Sequence, residues 1–378
     1  MTSPLQHLYV HVPFCARRCS YCDFAIAVRS RVPVGEYVDA LRRELSLRFA
    51  EAERPVLETL YFGGGTPSRL GGEGVARAIA AVREHATLAP GAELTIEVNP
   101  EDVSDEALAA WTEAGVNRLS IGSQSFSESA LGWMHRGHGG AGIASAVERA
   151  RAHGIGNLSL DLIFALPDQV ERSWDEDIDR ALALEPEHLS LYGLTFEPAT
   201  PLARWRARGE AAEASEERYE QEFLRAHERL SNAGFDHYEV SNFARPGLAS
   251  RHNSSYWSGA AYGGVGPSAH AFDGRHRAWN VPQYAEWVRL LAAGADPRAG
   301  EEELTGENRV AEEVYLGLRT RRGLVIGPEE AARVASWRDA GWAELDDDTG
   351  ERRLRLTATG WLRLDSLAAD LTLFRSRL

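Results

Sequence analysis

Three cysteines lie close together near the start of the chain. Cys15, Cys19 and Cys22 are the only cysteines among the 378 residues, and their spacing is C-x3-C-x2-C. Thiolates that converge in one short loop bind a soft metal or an iron–sulfur cluster. Three ligands are one fewer than a closed tetrahedral site needs. The spacing therefore predicts a site with one open position.

Three kinds of site fit this run of cysteines. Structural zinc would take His11 or a more distant histidine as its fourth ligand, but zinc sites usually pair their cysteines as C-x2-C. A disulfide would leave an odd cysteine over. We favour a [4Fe–4S] cluster in which one iron is left open to a ligand that the protein does not supply.

The residues around the cysteines resemble those of the radical S-adenosylmethionine (SAM) superfamily. The stretches Tyr9-Val10-His11-Val12-Pro13-Phe14-Cys15 and Tyr21-Cys22-Asp23-Phe24 are similar to those of its coproporphyrinogen-dehydrogenase-like branch. In that superfamily the amine and carboxylate of SAM chelate the fourth iron. The reduced cluster then cleaves SAM to a 5′-deoxyadenosyl radical. The resemblance thus implies both cofactors, with the three cysteines as the cluster ligands.

A second group of residues follows the predicted strands. Gly63-Gly64-Gly65-Thr66-Pro67 ends one strand, where backbone can approach a ligand without a Cβ in the way. It lacks the Gly-Lys-Ser/Thr of a P-loop, and alone it would be a tight turn. A lone carboxylate at a strand end can cap the next helix, whereas polar groups gathered at one barrel mouth indicate ligand binding. The resemblance implies SAM contacts at Tyr9, Gly64, Gly65, Thr66, Glu97, Gln124, Arg136 and Asp161.

Two features separate branches of the superfamily. Coproporphyrinogen dehydrogenases carry a fourth cysteine two residues after the third, where this chain has Phe24, and a longer segment before the cluster. His252-Asn253-Ser254-Ser255-Tyr256-Trp257 instead matches the H-N-x-x-Y-W motif of HemW-type haem chaperones. The resemblance implies haem contacts at His252, Asn253, Tyr256 and Trp257.

The chemistry of these residue types suits haem. Imidazole is a common axial ligand of haem iron, and Tyr and Trp can stack on a porphyrin. His252 could equally be a loop histidine that holds backbone by hydrogen bonds. The sequence has no C-x-x-C-H motif, so thioether attachment is not expected. With the thiolates committed to the cluster, either an imidazole such as His252 or an aromatic cleft without an iron ligand must hold haem.

We therefore expect a haem chaperone that delivers haem to respiratory apoproteins and lacks coproporphyrinogen dehydrogenase activity. The alternative is an oxygen-independent coproporphyrinogen III dehydrogenase, which uses the same cofactors and the same barrel. That enzyme would oxidatively decarboxylate its substrate to protoporphyrinogen IX.

Composition restricts the class of protein. The chain is 44% hydrophobic and 26% charged, as in an ordinary globular protein. Its formal net charge is −15, which argues against a nucleic-acid partner because such surfaces are basic. Neither a signal peptide nor a membrane-spanning run is evident. We expect a cytoplasmic protein.

The elements that position these residues alternate between strand and helix. Strands are predicted at 8–12, 57–62, 94–98, 118–121, 158–165 and 188–196, with helical patterns between them. This order indicates parallel βαβ units. Six units are too few for a closed eight-stranded barrel, so we expect an α/β fold with a partial (β/α)6 TIM-like barrel, the radical SAM core. The chemistry should lie at the C-terminal strand ends.

The remainder of the chain predicts further units. We assign 1–235 to the barrel and 236–300, with a strand at 238–243, to a connecting segment that carries the H-N-x-x-Y-W motif. Residues 301–378 are expected to form a small α+β, winged-helix-like domain with a helix at 328–340 and strands at 342–345 and 354–356. Its acidity favours protein docking over DNA binding, and a purely structural cap is equally consistent.

Overall fold

The computed structural model describes residues 5–49, 54–346 and 350–377. The strands are β1 (His7–Val12), β2 (Phe14–Cys15), β3 (Ala27–Val28), β4 (Val56–Gly64), β5 (Thr87–Val98), β6 (Arg118–Gln124), β7 (Asn157–Phe164), β8 (His188–Gly193), β9 (Asp236–Glu239), β10 (Asn242–Ala244), β11 (Gly263–Val265), β12 (His270–Phe272), β13 (His276–Asn280), β14 (Arg298–Glu303), β15 (Leu324–Val325), β16 (Ala343–Asp346) and β17 (Arg353–Leu356).

The helices complete the order of elements. They are α1 (Val34–Arg48), α2 (Gly71–His85), α3 (Asp105–Glu113), α4 (Glu128–Trp133), α5 (Gly140–Ala152), α6 (Trp174–Ala183), α7 (Pro201–Ala207), α8 (Glu216–Asn232), α9 (Arg251–Trp257), α10 (Tyr284–Ala292), α11 (Gly306–Arg319), α12 (Pro328–Arg333), α13 (Ala335–Asp339), α14 (Ala358–Trp361) and α15 (Leu364–Arg375). Short 3₁₀ helices span Pro67–Leu70 and Pro100–Asp102.

One large sheet organises the molecule. Within the described residues it has nine strands in the order β11-β1-β4-β5-β6-β7-β8-β10-β9. The run from β11 to β8 is parallel, and β10 and β9 are added in antiparallel register. The six strands β1 and β4 to β8 are the predicted partial (β/α)6 barrel. No pairing between β11 and β9 closes the described part of the sheet.

Three helices that precede strands end with the same glycine motif. Gly115, Gly154 and Gly234 have φ values of 95°, 84° and 84° and follow α3, α5 and α8. At each, the N–H of the next residue donates to a carbonyl five residues earlier, as Val116 does to Trp111 at 2.9 Å. Glycine is favoured there because left-handed backbone strains other residues. The repeated Ala-Gly or His-Gly pairs in the sequence therefore mark where helices stop.

The core follows the predicted amphipathic pattern. Val38, Leu41 and Leu45 of α1 are fully buried, as are Leu57 and Leu60 of β4. The helices cover the outer face of the sheet, while the inward side chains of its strands are largely polar. The core therefore lies between the sheet and its helices, and the barrel interior is left for hydrogen-bonding groups.

The second half of the chain differs in detail from the expectation. The strand predicted at 238–243 is two strands, β9 and β10, which pair antiparallel across Val240 and Ser241. The helix predicted at 328–340 is divided into α12 and α13. The strands β9 to β11 join the large sheet, whereas β15, β17 and β16 form a small sheet among the C-terminal helices. The domain boundaries themselves remain predictions.

Candidate cofactor site

The cysteine loop is fixed at both ends by a pair of short strands. Strands β2 and β3 lie parallel, with Phe14 opposite Ala27 and Cys15 opposite Val28. The N–H of Ala27 donates to the Pro13 carbonyl at 2.7 Å, and that of Arg29 donates to the Cys15 carbonyl at 2.9 Å. The loop that carries Cys15, Cys19 and Cys22 is therefore fixed close to the end of β1.

The three cysteines suit an iron–sulfur cluster. All are free thiols; Cys15 is buried and the other two are half-buried. The Cys15 thiol lies 3.4 Å from the Thr66 hydroxyl. Burial raises the pKa of Cys15, and it raises the pKa of Cys22 to about 11. Buried thiols grouped in this way are suitable ligands because bound iron replaces their protons and offsets the cost of burying thiolates.

The predicted cofactor residues meet at the C-terminal ends of the strands. A cavity of about 370 Å³ opens there beside the cysteine loop. Its lining brings together most of the residues predicted from the sequence: Cys15, Cys19, Cys22, Gly64, Gly65, Thr66, Glu97, Gln124, Arg136 and Asp161. Tyr9 is not among the lining residues. Its hydroxyl lies 3.2 Å from Nδ1 of His11, and its ring stacks on Tyr61 at 6.1 Å.

Arg136 is held in place by two hydrogen bonds and keeps one unpaired donor. Its guanidinium donates to the Asn99 side chain and to the Gly122 carbonyl, both at 2.6 Å. A further N–H points to the Cys19 Sγ at 3.5 Å. Nε is buried and has no hydrogen-bond partner within the described ranges. This unpaired donor next to the cysteines fits the carboxylate of SAM.

Two carboxyl groups in the cavity have raised pKa values. Burial raises the pKa of Glu97 to about 7, against hydrogen bonds from the Tyr61 hydroxyl at 2.9 Å and the Gly64 N–H at 3.1 Å. Burial likewise raises the pKa of Asp161 to about 6, and the Ser120 hydroxyl donates to it at 3.0 Å. Both carboxyl groups can accept hydrogen bonds from ribose hydroxyls when ionised.

The glycine run is required by packing inside the protein. Gly64 has a φ of 111°, and a Cβ on it would collide with the ring of His11. A Cβ on Gly65 would lie 2.7 Å from the Pro13 backbone. Gly64 and Gly65 also line the cavity, so the predicted approach of a ligand to their backbone stays a prediction. The structure shows that they allow the end of β4 to pack closely against the end of β1.

His252 lies inside the barrel and not at the cofactor cavity. It is 1% exposed, its Nδ1 lies 2.7 Å from the Thr59 hydroxyl, and its Nε2 lies 2.7 Å from the Tyr256 hydroxyl. Its ring stacks on Tyr61 at 4.9 Å. Burial lowers the pKa of His252 to about 3. The imidazole is therefore neutral at physiological pH, and both ring nitrogens are engaged.

The other residues of the H-N-x-x-Y-W motif also lie on α9. The Asn253 N–H donates to the capping hydroxyl of Ser250 at 3.3 Å. The Trp257 ring lies under the Arg319 guanidinium at 4.2 Å, and its Nε1 is buried without a hydrogen-bond partner in the described part of the chain. None of the four predicted haem residues lines the cofactor cavity. The structure thus places the two predicted groups of residues in different parts of the barrel.

Sequence reasoning missed several residues of the cavity. Asn99 follows Glu97 at the end of β5 and positions Arg136. Tyr192 lies near the end of β8 and lines the same cavity. Asn99 and Tyr192 could have been found in the same way as Glu97, as polar residues at the end of a predicted strand. His135 also lines the cavity, but no local pattern in the sequence distinguishes it.

Comparison with known proteins identifies the family. The model of the radical SAM superfamily matches residues 9–181. The heme chaperone HemW of Mycobacterium tuberculosis is 38% identical over 96% of this chain and 94% of its own length. That of Bacillus subtilis is 36% identical over 85% of both chains. The chain belongs to the HemW family. Coproporphyrinogen III oxidase (HemN) of Escherichia coli has the same fold, with a TM-score of 0.83 and 23% identity over 98% of this chain and 91% of its own.

Membership of the radical SAM superfamily implies SAM and a [4Fe–4S] cluster, and the donor set described above fits both. Among the helices of the described ranges, none combines the length and the apolar character that crossing a bilayer requires.

Proposed function

We propose that this protein is a haem chaperone, which binds haem and passes it to an apoprotein. The observation that carries this proposal is the sequence similarity: the heme chaperone HemW of M. tuberculosis is 38% identical over 96% of this chain, whereas the E. coli oxidase shares the fold at 23% identity.

Phe24 supports a carrier over a coproporphyrinogen dehydrogenase. It occupies the position of the extra cysteine that the sequence analysis associates with that enzyme, and its side chain is 59% exposed at the cavity. A phenyl ring cannot act as an acid, a base or a metal ligand, but it adds apolar surface for a flat ligand. The likeness to the E. coli oxidase extends to the fold and carries no argument for its reaction.

The predicted cofactor contacts other than Tyr9 line the cavity, which supports the following roles. Cys15, Cys19 and Cys22 would hold three irons of the cluster, and the open iron would take the amine and carboxylate of SAM. Arg136 would bind that carboxylate through its free Nε, and Glu97 would accept from the ribose. When bound, the cluster and SAM supply one-electron chemistry at this end of the barrel.

The details of haem binding and delivery remain predictions. Contacts at His252, Asn253, Tyr256 and Trp257 require α9 to rearrange, because both ring nitrogens of His252 are engaged inside the barrel. Respiratory haem proteins are the predicted acceptors and the cytoplasm is the predicted location. The C-terminal helices remain either a predicted docking unit or a structural cap.

An anaerobic haem titration of the reconstituted full chain tests the proposed function. We expect one haem per chain with a Soret band shifted from that of free haem. In parallel, coproporphyrinogen III, SAM and a reductant should yield no protoporphyrinogen. Haem uptake no better than that of an unrelated acidic protein, together with formation of protoporphyrinogen, would favour the dehydrogenase.

A further inference from the structure

An imidazole ligand is one of the two ways in which this chain could hold haem, and the free histidines can be identified. Thiolate and imidazole side chains are both common ligands of haem iron, and here the three thiolates are assigned to the cluster. The chain has twelve histidines, all within the described ranges. Ten of them have a ring nitrogen within hydrogen-bonding distance of a partner: His7, His11, His85, His138, His153, His188, His227, His237, His252 and His276.

Two histidines remain, and their positions differ. Neither ring nitrogen of His135 or His270 bonds to any residue that the structure describes. His270 lies on β12, where its ring stacks on Trp279 at 6.1 Å. His135 is exposed and lines the cofactor cavity, with its ring against the edge of Trp205 at 5.4 Å. His135 is therefore the histidine with free ring nitrogens at the cavity.

The backbone of His135 has a conformation that glycine would adopt with less strain. It follows α4 with a φ of 60°, and the next N–H, that of Arg136, donates to the Leu131 carbonyl at 2.9 Å. This is the helix-ending position at which glycine is strongly preferred. A histidine here strains the backbone without any hydrogen bond of its side chain in return. Strain of this kind is characteristic of functional positions.

The surroundings of His135 offer two aromatic faces and a cation to a flat, amphipathic ligand. Phe24 and Tyr192 line the same cavity with 59% and 46% of their surface exposed, which is unusual for large aromatic residues. Arg17 lies on the cysteine loop at the cavity, is exposed, and has no ion pair with a carboxylate of the described residues. Aromatic faces can stack on a macrocycle, and a free guanidinium can pair with a propionate.

We propose that His135 is an axial ligand of the haem iron at the mouth of the cofactor cavity, with Arg17 paired to a propionate. Phe24 and Tyr192 then face the macrocycle. This inference rests on the proposed function and locates its cargo. It places haem beside the cysteine loop, whereas binding through His252 would place haem on α9. Ligation by His135 breaks no hydrogen bond, while ligation by His252 breaks at least one.

Replacing His135 by glycine tests this location without straining the fold. Glycine adopts a φ of 60° freely, so His135→Gly should be at least as resistant to thermal unfolding as the wild type. Removal of a residue that only hydrogen-bonds to a metal ligand lowers metal affinity roughly 10- to 100-fold. Removal of the ligand itself should therefore lower the haem affinity of His135→Gly by at least as much. Free imidazole should restore the wild-type Soret band, because it can occupy the vacated ligand position. Arg17→Glu should weaken haem binding and leave the Soret position unchanged.

His270→Ala is the matched control, since it removes the other histidine with free ring nitrogens and should bind haem like the wild type. Wild-type affinity and spectrum in His135→Gly would overturn the proposed ligand while leaving a haem carrier. Loss of the axial signature in His252→Ala alone would place the iron on α9. A wild-type chain that takes up no haem would instead overturn the proposed function itself.

Discussion

The Tyr61 hydroxyl donates a hydrogen bond to the Glu97 carboxyl group at 2.9 Å. Tyr61 also stacks on His252 at 4.9 Å, so it lies between the interior of the barrel and the cofactor cavity. Burial raises the pKa of Glu97 to about 7, and the hydrogen bond from Tyr61 opposes that rise. Glu97 therefore changes charge near neutral pH, at the position where SAM is predicted to bind.

Binding of SAM should depend on pH through Glu97. The ionised carboxylate accepts from ribose hydroxyls, so affinity should fall as the pH drops through about 7. Tyr61→Phe removes a bond to the charged form, which is worth about 1.5–3 kcal/mol. The pKa of Glu97, and with it the midpoint of the pH dependence of SAM binding, should then rise by about one pH unit or more. Calorimetric SAM titrations of the reconstituted protein across this range measure the shift.

The chain offers a matched control for this substitution. Tyr284 donates to Glu36 at 2.7 Å, away from the cavity. Tyr284→Phe should leave the pH midpoint of SAM binding in place. An identical midpoint in wild type and Tyr61→Phe would mean that Glu97 does not contact SAM as an ionised group.

Glu97 should also lower the stability of the apo protein at neutral pH. Its pKa is higher in the folded chain than the ordinary 4.5, so the folded state binds the proton more tightly. Stability is then lost as the pH rises from about 4.5 to 7. Glu97→Gln cannot lose a proton and should unfold with a free energy on the order of 3 kcal/mol higher at alkaline pH. The free energies of unfolding of the wild type and of Glu97→Gln should become equal at about pH 4.5. Parallel denaturant curves with no pH-dependent difference would contradict this account.

Local patterns predicted many of the residues that line the cavity, because strand ends are encoded locally. An apolar run that ends in a polar or glycine-rich turn identifies Gly64, Glu97 and Asp161, and parallel strands bring such ends together. The long-range pairing was not predictable in this way. Strand β11 returns to lie beside β1, with Gly264 opposite Tyr9, and nothing in either stretch specifies the other.

The surroundings of His252 show the same difference between a local motif and its long-range contacts. The motif is recognisable in the sequence, but its contact with Thr59 depends on how α9 packs against β4. The left-handed backbone of His135 also escapes sequence patterns, since the residue at that helix end is a histidine where glycine would have been a signal.

The cysteine loop should lose its iron when one ligand is removed. Wild-type protein reconstituted under anaerobic conditions should hold about four irons per chain. Cys22→Ala should lose most of this iron, because two cysteines cannot hold the cluster. Ser20→Ala is the control, since Ser20 is buried in the same loop and is not a ligand. Unchanged iron in Cys22→Ala would point to different ligands.

His252 should contribute to stability through its two hydroxyl partners. His252→Ala leaves the Tyr256 hydroxyl without this partner, leaves the Thr59 hydroxyl with only His7, and opens a cavity in the barrel. We expect a loss of about 2–4 kcal/mol in the free energy of unfolding. Replacement of the exposed His270 by alanine should change the free energy of unfolding by no more than about 0.5 kcal/mol. Equal denaturation midpoints for the two variants would show that the buried hydrogen bonds of His252 contribute little.

The most direct test of a haem chaperone is transfer of its cargo. The reconstituted, haem-loaded chain is mixed with the apo form of a b-type respiratory haem protein, and the Soret band of the acceptor is followed with time. A chaperone hands haem over on contact, so the transfer rate should rise with the concentration of the acceptor. A rate that does not depend on the acceptor would show only dissociation of haem into solution, and it would contradict the proposed function.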